Sequence, residues 1–344
     1  MLDRTDIVPP SAVTVVVSTF NRATPLERAL AALAEQTRST PPFDVIVVDN
    51  NSNDGTPQVV ERFQRRFERV RYVFEPRQGL SYARNAGIAA ATAPIVAFTD
   101  DDVCVGSTWV SSVHQALSAH PDIAGAGGRT LPLWPFPPPP WLTTEHWVGP
   151  LALQDYGTAS FIVDAKRPIC LAGANLAFRK SVFSRVGLFD TAFVRAQDTE
   201  FLLRMYRAGE RALYVPDMLV QAPVDPERMT KAYHRRWHLN IGRCNTRMAF
   251  QELSDPVLGL RPEPAEFSRA FGIPLFAFRQ FAGEFAEWIH TSLRGTPADA
   301  FGHETRLWEL LGYVLESRAG RRSKRSGATG VKPRVGLTMP RALR

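Results

Sequence analysis

The first 130 residues alternate between short β-branched runs and segments in which apolar residues recur at helical spacing. The runs are typical of buried strands and cover about residues 13–18, 43–48, 70–74 and 95–98. Helices are predicted from Thr24, from Thr56 and over about 81–91. This alternation predicts an α/β fold with a mostly parallel sheet covered on both faces. Ligands of such sheets bind at the carboxyl ends of the strands.

Polar loops follow three of the predicted strands. The polar residues of these loops are Thr19, Asn21 and Arg22, then Asp49 and Asn51, and finally Asp100, Asp101 and Asp102. Because parallel strands end at one edge of a sheet, these loops are expected to lie close together. None is a GxGxxG or GxxxxGK[ST] phosphate loop, which argues against dinucleotide oxidoreductases and P-loop NTPases.

The three consecutive carboxylates repel one another unless a positive charge lies among them. A hard divalent cation, Mg²⁺ or Mn²⁺, is the simplest such partner because it prefers carboxylate and phosphate oxygens. Asp100 and Asp102 form an i, i+2 pair that can converge on one ion. The alternative interpretation is a solvated acidic turn without a metal.

The overall composition is that of an ordinary soluble globular protein, with 44% hydrophobic and 22% charged residues. No apolar stretch reaches the roughly 18 to 20 residues needed to cross a bilayer, and the first residues lack the pattern of a secretory signal. Three widely spaced cysteines suggest neither a disulfide framework nor a zinc site. We therefore expect a cytoplasmic protein.

The net charge of +7 comes from the C-terminal tail. Residues 318–344 contain nine Lys or Arg and no Asp or Glu, and the rest of the chain carries 32 basic and 34 acidic residues. A tail of this composition is predicted to be disordered. It can attach to an anionic membrane surface at the inner face of the membrane or act only as a solubilising segment. No recognition motif accompanies the charge, so no nucleic acid is expected.

The chain changes character after residue 130. Six prolines and three large aromatic residues between 131 and 142 predict an extended connector, whose aromatic side chains either stack on sugar rings or pin the loop to the body. Apolar residues at helical spacing predict a helix over 274–293 and a second one after Thr296. The two are predicted to form a packed pair; the alternative is an interfacial membrane helix rich in Phe and Trp.

Several segments together resemble the family 2 glycosyltransferases, inverting enzymes of the GT-A fold, over about residues 12–245. No single segment is decisive, but their order and spacing are specific. They are VVVSTFNR (15–22), VIVVDNNSNDGT (45–56), EPRQGLSYARNAGI (75–88), FTDDDV (98–103), LAGANLAFRKSVFSRVGLFD (171–190) and QDTEFLLRMYRAG (197–209).

The resemblance implies an enzyme that moves a sugar from a nucleotide-diphosphate sugar to a hydroxyl of a glycan or lipid-linked acceptor. It implies Asp198 as catalytic base and Asp102, with Asp100, as ligands of Mn²⁺ or Mg²⁺. The residues that it places at the nucleotide sugar are Thr19, Asn21, Arg22, Asp49, Asn51, Arg84, Asn85, Asp100, Asp101, Gly173 and Asn175.

The same resemblance suggests a domain division. Residues 1–245 would form the glycosyltransferase domain, with a nucleotide-sugar-binding half at 12–130 and an acceptor-binding half at 131–245. A C-terminal helical region would follow at 246–317, before the basic tail at 318–344.

The chain departs from the family pattern near its catalytic segments. Gln197 stands where the family usually has Glu, and Gln221 and Ala222 stand where it often has a metal-binding His. His234 and His238 are alternative sources of a ligand. Because this His is missing, an alternative function is a degenerate protein that binds sugar nucleotides or serves as a scaffold but has no turnover. A sugar-phosphate nucleotidyltransferase is disfavoured because no Gly-rich, Arg-containing loop follows the first strand.

Overall fold

The computed structural model describes residues 10–37, 39–193, 195–250, 269–270 and 273–325. The strands within these ranges are β1 (Val13–Thr19), β2 (Phe43–Asp49), β3 (Val70–Phe74), β4 (Ile95–Asp100), β5 (Cys104–Val105), β6 (Gly125–Leu133), β7 (Phe161–Val163), β8 (Leu176–Arg179), β9 (Ala212–Pro223), β10 (Arg269–Ala270) and β11 (Ile273–Pro274). The helices are α1 (Ala23–Ala34), α2 (Thr56–Gln64), α3 (Leu80–Ala90), α4 (Trp109–Ala119), α5 (Val182–Val186), α6 (Gln197–Arg207), α7 (Lys231–Phe250), α8 (Leu275–Arg294) and α9 (Pro297–Arg325).

In the described part of the chain, nine strands form one sheet in the order β3-β2-β1-β4-β8-β6-β9-β5, with β7 beside β9. Strands β3, β2, β1 and β4 are parallel, which confirms the predicted α/β fold. Strand β8 is antiparallel to β4 and to β6. This antiparallel half is built from strands between residues 104 and 223 and was not predicted.

The parallel strands end in register at one edge of the sheet. Thr19 lies opposite Asp49 on β2, and Ser18 lies opposite Asp100 on β4. The strands are buried along nearly their whole length, as expected for a sheet covered on both faces. The polar loops predicted to meet at the carboxyl ends of β1, β2 and β4 therefore do meet there.

An aromatic cluster fixes the helices of the antiparallel half against β4. The cluster consists of Phe98 on β4, Phe178 on β8, Phe183 on α5, Phe189, and Phe201 on α6, with neighbouring ring centroids 4.9–6.4 Å apart. Edge-to-face and offset ring pairs stabilise such a cluster beyond the burial of their area. Phe201 follows Asp198 by one helical turn, so the cluster also fixes the start of α6.

The chain divides into two compact units. The first comprises residues 1–132, 154–164 and 169–222, and the second 133–153, 165–168 and 223–344. The boundary predicted at residue 245 falls inside α7, which belongs wholly to the second unit. No helix in the described ranges is both long and apolar enough to span a bilayer.

The second unit contains the long helices α7, α8 and α9. Thr296 and Asp299 form reciprocal side-chain to backbone hydrogen bonds at the start of α9, which is the predicted helix start. Within this unit Trp141 is buried against Phe301 and His234, with ring centroids 4.5 and 5.0 Å away. The proline-rich connector is thus pinned through Trp141.

The structure corrects two boundaries in this region. Residues 131–133, predicted to lie in the connector, belong to β6. Residues 318–325, predicted to be disordered, continue α9, because Arg, Lys and Ala are good helix formers and the helix already exists upstream. The remainder of the predicted tail, 326–344, lies outside the described residues.

Candidate active site

The loops after β1 and β2 are tied together by hydrogen bonds. The Asn21 backbone N–H donates to Ser52 Oγ (2.9 Å), and the Asn53 N–H donates to Asn21 Oδ1 (2.8 Å). Asn21 and Asn51 adopt left-handed backbone conformations with φ of 53° and 70°, which asparagine tolerates better than most residues. The Asn21 side chain is therefore used to hold the loops, whereas Asn51 is exposed at their surface.

Asp49 is buried at the end of β2 and accepts two hydrogen bonds. The Ser52 N–H donates to Oδ1 (2.8 Å), and the Tyr72 hydroxyl on β3 donates to Oδ2 (2.7 Å). Burial and the bond to Asp49 raise the pKa of Tyr72 well above its usual value. Sequence reasoning missed Tyr72; the available signal was its position two residues before the end of β3, on the same face as the strand's last side chain.

Arg22 bridges two of the three consecutive carboxylates. Its Nη1 lies 3.1 Å from Asp101 Oδ1 and 2.7 Å from Asp102 Oδ2. Asp101 is buried, and burial raises its pKa to about 6 although Arg22 opposes the shift. Thr19 is buried at the end of β1. Arg22 thus joins the first loop to the acidic turn, across 79 and 80 residues of sequence.

Arg84 on α3 is buried and faces the remaining carboxylate. Its Nη2 lies 3.5 Å from Asp100 Oδ1, and its guanidinium lies over the Phe189 ring at 5.5 Å. Desolvation raises the pKa of Asp100 against the effect of Arg84, and the negative charges of Asp102 and Asp198 raise it further. Asp100 therefore experiences the charges of both Asp102 and Asp198, which are almost a hundred positions apart in sequence.

Asp198 lies in the first turn of α6 and is held by two backbone amides. The Gly173 N–H donates to Oδ2 (3.0 Å), and the Thr199 N–H donates to Oδ1 (2.8 Å). A Cβ added at Gly173 would lie 2.6 Å from Arg84 Nη2 and 2.9 Å from Asp198 Oδ2. A glycine at this position therefore allows the guanidinium and the carboxylate to approach the same point.

Cys170 adjoins the same carboxylate. Its Sγ lies 3.2 Å from Thr199 Oγ1, and burial together with the charge of Asp198 raises its pKa to about 12. The thiol stays protonated at neutral pH and is a poor nucleophile, since the thiolate is the reactive form.

Two of the predicted sugar-nucleotide residues are engaged in the packing of the protein. Asn85 donates to the Phe189 carbonyl (2.9 Å) and accepts from the Phe189 N–H (3.0 Å). Asn175 is fully buried; it accepts from Trp109 Nε1 and donates to the carbonyls of Arg129 and Met218. These contacts favour a structural role for both amides.

The positions at which the family often has a histidine lie close to the acidic turn. Gln221 is exposed on β9 and pairs in register with Cys104, two residues beyond Asp102, while Ala222 is buried. The alternative ligands are engaged in the second unit. His234 Nε2 donates to the Arg228 carbonyl (3.0 Å), and His238 Nδ1 lies 2.6 Å from Glu309 Oε1.

The carboxylates of the acidic turn fit a hard divalent cation whose coordination is completed by phosphate. In the described ranges no group of three or more His, Cys, Asp or Glu side chains is arranged to hold a metal alone. Asp100 and Asp102 nevertheless offer oxygen donors on partly exposed side chains. Mg²⁺ is commonly bound through one or two carboxylates plus substrate phosphates, which is the donor set available here.

Curated proteins with similar sequences are glycosyltransferases. Validoxylamine A glucosyltransferase of Streptomyces hygroscopicus subsp. jinggangensis is 33% identical over 220 residues, covering 57% of this chain and 51% of its own length. Glycosyltransferase AglE of Haloferax volcanii is 25% identical over 268 residues, covering 74% and 83%. The chain spans about half the length of the first of these relatives.

Solved structures share the fold. The mannosyltransferase PcManGT of Pyrobaculum calidifontis, in complex with GDP-Man and Mn²⁺, superimposes with a TM-score of 0.55 at 20% identity, covering 92% of this chain and 88% of its own. S. aureus TarS 1–349 in complex with UDP-GlcNAc gives 0.51 at 17% identity, covering 90% and 92%. The family model for glycosyl transferase family 2 matches residues 14–187, half of the chain, and the protein belongs to that family.

Proposed function

We propose that the protein is a metal-dependent inverting glycosyltransferase that uses a nucleotide-diphosphate sugar. The observation that carries the proposal is the convergence of the Asp198 carboxylate, the Gly173 N–H and the Arg84 guanidinium beside Asp100. These residues come from α6, a short turn, α3 and β4, and they meet at the edge of the sheet where α/β proteins bind ligands. The family assignment supports the same activity.

The nucleoside is proposed to bind over the loops after β1 and β2. Asp49 is held rigidly by Ser52 and Tyr72, so that its orientation is fixed before a donor arrives. Exposed Asn51 and half-exposed Arg22 lie at the surface of the same loops. Fixed polar groups on rigid elements position a substrate with less loss of entropy than mobile ones.

Asp198 is proposed to take the proton of the acceptor hydroxyl. A hydroxyl is a weak nucleophile, and a positioned general base typically contributes 10²- to 10⁴-fold to the rate. The two amides on Asp198 fix its carboxylate while leaving lone pairs on both oxygens. Attack from the face opposite the leaving diphosphate needs no enzyme nucleophile, in agreement with the protonated state of Cys170.

Asp102 and Asp100 are the proposed ligands of Mn²⁺ or Mg²⁺. The ion would supply Lewis-acid stabilisation of the leaving diphosphate. The Mn²⁺ in the mannosyltransferase structure supports this choice for a fold of the same kind. Arg22 and Arg84 place two further positive charges on the acidic turn, where they can attract the anionic donor.

We also propose that the acceptor is a glycan or lipid-linked molecule of the cell envelope and that the enzyme is cytoplasmic and peripheral to the membrane. The basic residues at 318–344 support a location at an anionic surface. Nothing in the described site requires a nucleic-acid partner.

A thermal-shift panel of sugar nucleotides, including GDP-Man and UDP-GlcNAc, with and without Mn²⁺, tests the donor and metal proposals. We expect stabilisation that requires metal and that is lost in Asp102→Ala. Donor stabilisation of about 3 kcal/mol corresponds to a concentration near 100 times Kd. A sugar nucleotide that stabilises the protein equally without metal and in Asp102→Ala would contradict metal dependence.

The Asp198→Asn variant separates turnover from binding. It should retain the metal-dependent thermal shift and lose transfer by about 10²- to 10⁴-fold. A protein that binds donors but has no turnover would show the shift in both forms and no donor cleavage in either, which is the result expected for the degenerate binding protein.

A further inference from the structure

Helix α8 carries a continuous apolar stripe on its exposed side. The residues of this stripe are spaced three or four apart and are between 43% and 78% exposed; they are Leu275, Phe278, Phe281, Phe285, Ile289 and Leu293. We call these six residues the aromatic face. The rings of Phe281 and Phe285 are stacked with centroids 6.3 Å apart, and Trp288 adjoins Phe285 at 5.6 Å. Single exposed apolar residues are common, but contiguous ones mark an interaction site.

The opposite side of α8 packs against α9 and contains charged groups. Glu284 Oε2 accepts from Arg306 Nε (2.7 Å) and lies 2.8 Å from His303 Nδ1. Only Ala277 is buried among the described side chains of α8. A helix at a water-facing surface normally directs its apolar stripe inward and its charges outward. Helix α8 departs from this rule on its apolar side: the six residues of the aromatic face point away from α9, while Glu284 lies on the packed side. The aromatic face is therefore available for a covering partner.

The sequence becomes strongly basic towards the end of α9. Tyr313 of α9 packs against Phe276 at the start of α8, with ring centroids 5.9 Å apart. Helix α9 continues to Arg325, about 18 Å further at 1.5 Å per residue. This extension begins the segment 318–344, which has nine basic and no acidic residues.

We propose that the aromatic face lies in the headgroup region of an anionic lipid bilayer, to which the five basic residues of α9 between 318 and 325 are also attracted. Phe, Trp and Leu side chains are suited to this depth, and each basic residue near the surface adds attraction to anionic lipid. An anionic bilayer matches both the apolar stripe and the excess of positive charge. A second copy of the chain would cover only the stripe. This assignment rests on the proposed peripheral membrane location and names the surface responsible for it.

Flotation of the full chain with lipid vesicles tests the proposal. The vesicles contain phosphatidylcholine alone or phosphatidylcholine with phosphatidylglycerol. We expect binding to the anionic vesicles that weakens at high salt, with little binding to the neutral ones. The double variant Phe281→Ser, Phe285→Ser should bind at least tenfold more weakly. Phe136→Ser, which changes an equally exposed phenylalanine outside α8, is the matched control and should bind as the unchanged protein does.

The outcomes separate this proposal from the others. Failure of the unchanged protein to bind either vesicle would refute the membrane location. Equal binding of the double variant would refute the aromatic face. A concentration-dependent dimer by light scattering that the double variant abolishes, without a change in vesicle binding, would assign the face to a second copy. Metal-dependent donor cleavage measured without lipid should be unchanged in the double variant. A failure of the proposed glycosyltransferase activity would therefore be seen in the cleavage assay and not in vesicle binding.

Discussion

Replacing Gly173 by Ala tests whether the cluster around Asp198 is the site of transfer. The new methyl would meet Arg84 Nη2 at 2.6 Å and Asp198 Oδ2 at 2.9 Å, whereas ordinary contacts are 3.4 Å or longer. Neither group can yield easily, because Arg84 is buried beside Asp100 and Asp198 is held by two amides. To reach 3.4 Å, Arg84 Nη2 must move by about 0.8 Å and Asp198 Oδ2 by about 0.5 Å.

The expected loss of activity follows from this displacement. A misplacement of about 1 Å at a reacting group costs about 10²-fold in rate, which corresponds to about 2.7 kcal/mol of transition-state free energy. Overpacking of this kind costs about 1–3 kcal/mol in stability, so the variant should still fold. Its expected phenotype is a kcat about a hundredfold lower, with retained metal-dependent donor binding in the thermal-shift assay.

Gly302→Ala is the matched control. It makes the same chemical change in α9, where the nearest atom to an added Cβ is 3.8 Å away. This variant should keep full activity and gain up to about 1 kcal/mol of stability, because Ala favours a helix over Gly. A Gly173→Ala enzyme whose kcat lies within twofold of the unchanged protein would refute the placement of transfer at this cluster.

Three further predictions concern positions where the structure adds to the sequence. Asn175→Ala should lower the free energy of unfolding by about 3 kcal/mol or more in urea titrations, because it leaves several buried polar groups unpaired; a loss below 1 kcal/mol would contradict the structural role. Tyr72→Phe should raise the KM for the donor about tenfold with little change in kcat, because Asp49 loses a fixed hydrogen bond; an unchanged KM would show that Asp49 does not depend on it. Burial lowers the pKa of His234 to about 4, and the charge of a neighbouring histidine adds to this, so the unfolded chain takes up the proton first as pH falls. Between pH 6.5 and 4 this preferential protonation of the unfolded chain lowers the free energy of unfolding by about 3 kcal/mol. The His234→Phe variant should therefore lose correspondingly less unfolding free energy over that pH range. A pH profile identical to that of the unchanged protein would contradict the buried, neutral state of His234.

The parallel half of the sheet could be predicted because its strands are short segments rich in β-branched and aromatic residues, each followed by a polar segment. Strand β6 has no such signature, since it begins Gly-Ala-Gly-Gly. Those glycines are explained only by the partner strands: a Cβ at Gly128 would collide with the Met218 carbonyl on β9. Close approach of two strands 90 residues apart is a tertiary constraint, and local sequence does not contain it.

The candidate site shows the same division between what local sequence determines and what it does not. Carboxylates that follow parallel strands must meet at one edge, so the proximity of Asp49 and Asp100 was predictable from strand order alone. Strand order does not predict whether the side-chain amide of an asparagine contacts a ligand or the backbone. Asn85 and Asn175 lie in segments that resemble the family, as Asn51 does, yet both bind main-chain groups, because the strands and turns around them need partners for buried polar atoms.

The charges of the acidic turn are balanced by arginine side chains of the protein itself. The repulsion among Asp100, Asp101 and Asp102 is relieved in this structure by the buried Arg84 of α3 and the half-exposed Arg22 of the loop after β1. Three consecutive carboxylates therefore do not need an ion in order to fold, and charge repulsion alone is no evidence for one. The partly exposed carboxylates of Asp100 and Asp102 are the proposed donors to an ion. Arg22 contacts Asp102 Oδ2; if an ion takes that place, a diphosphate is a suitable partner for the released guanidinium.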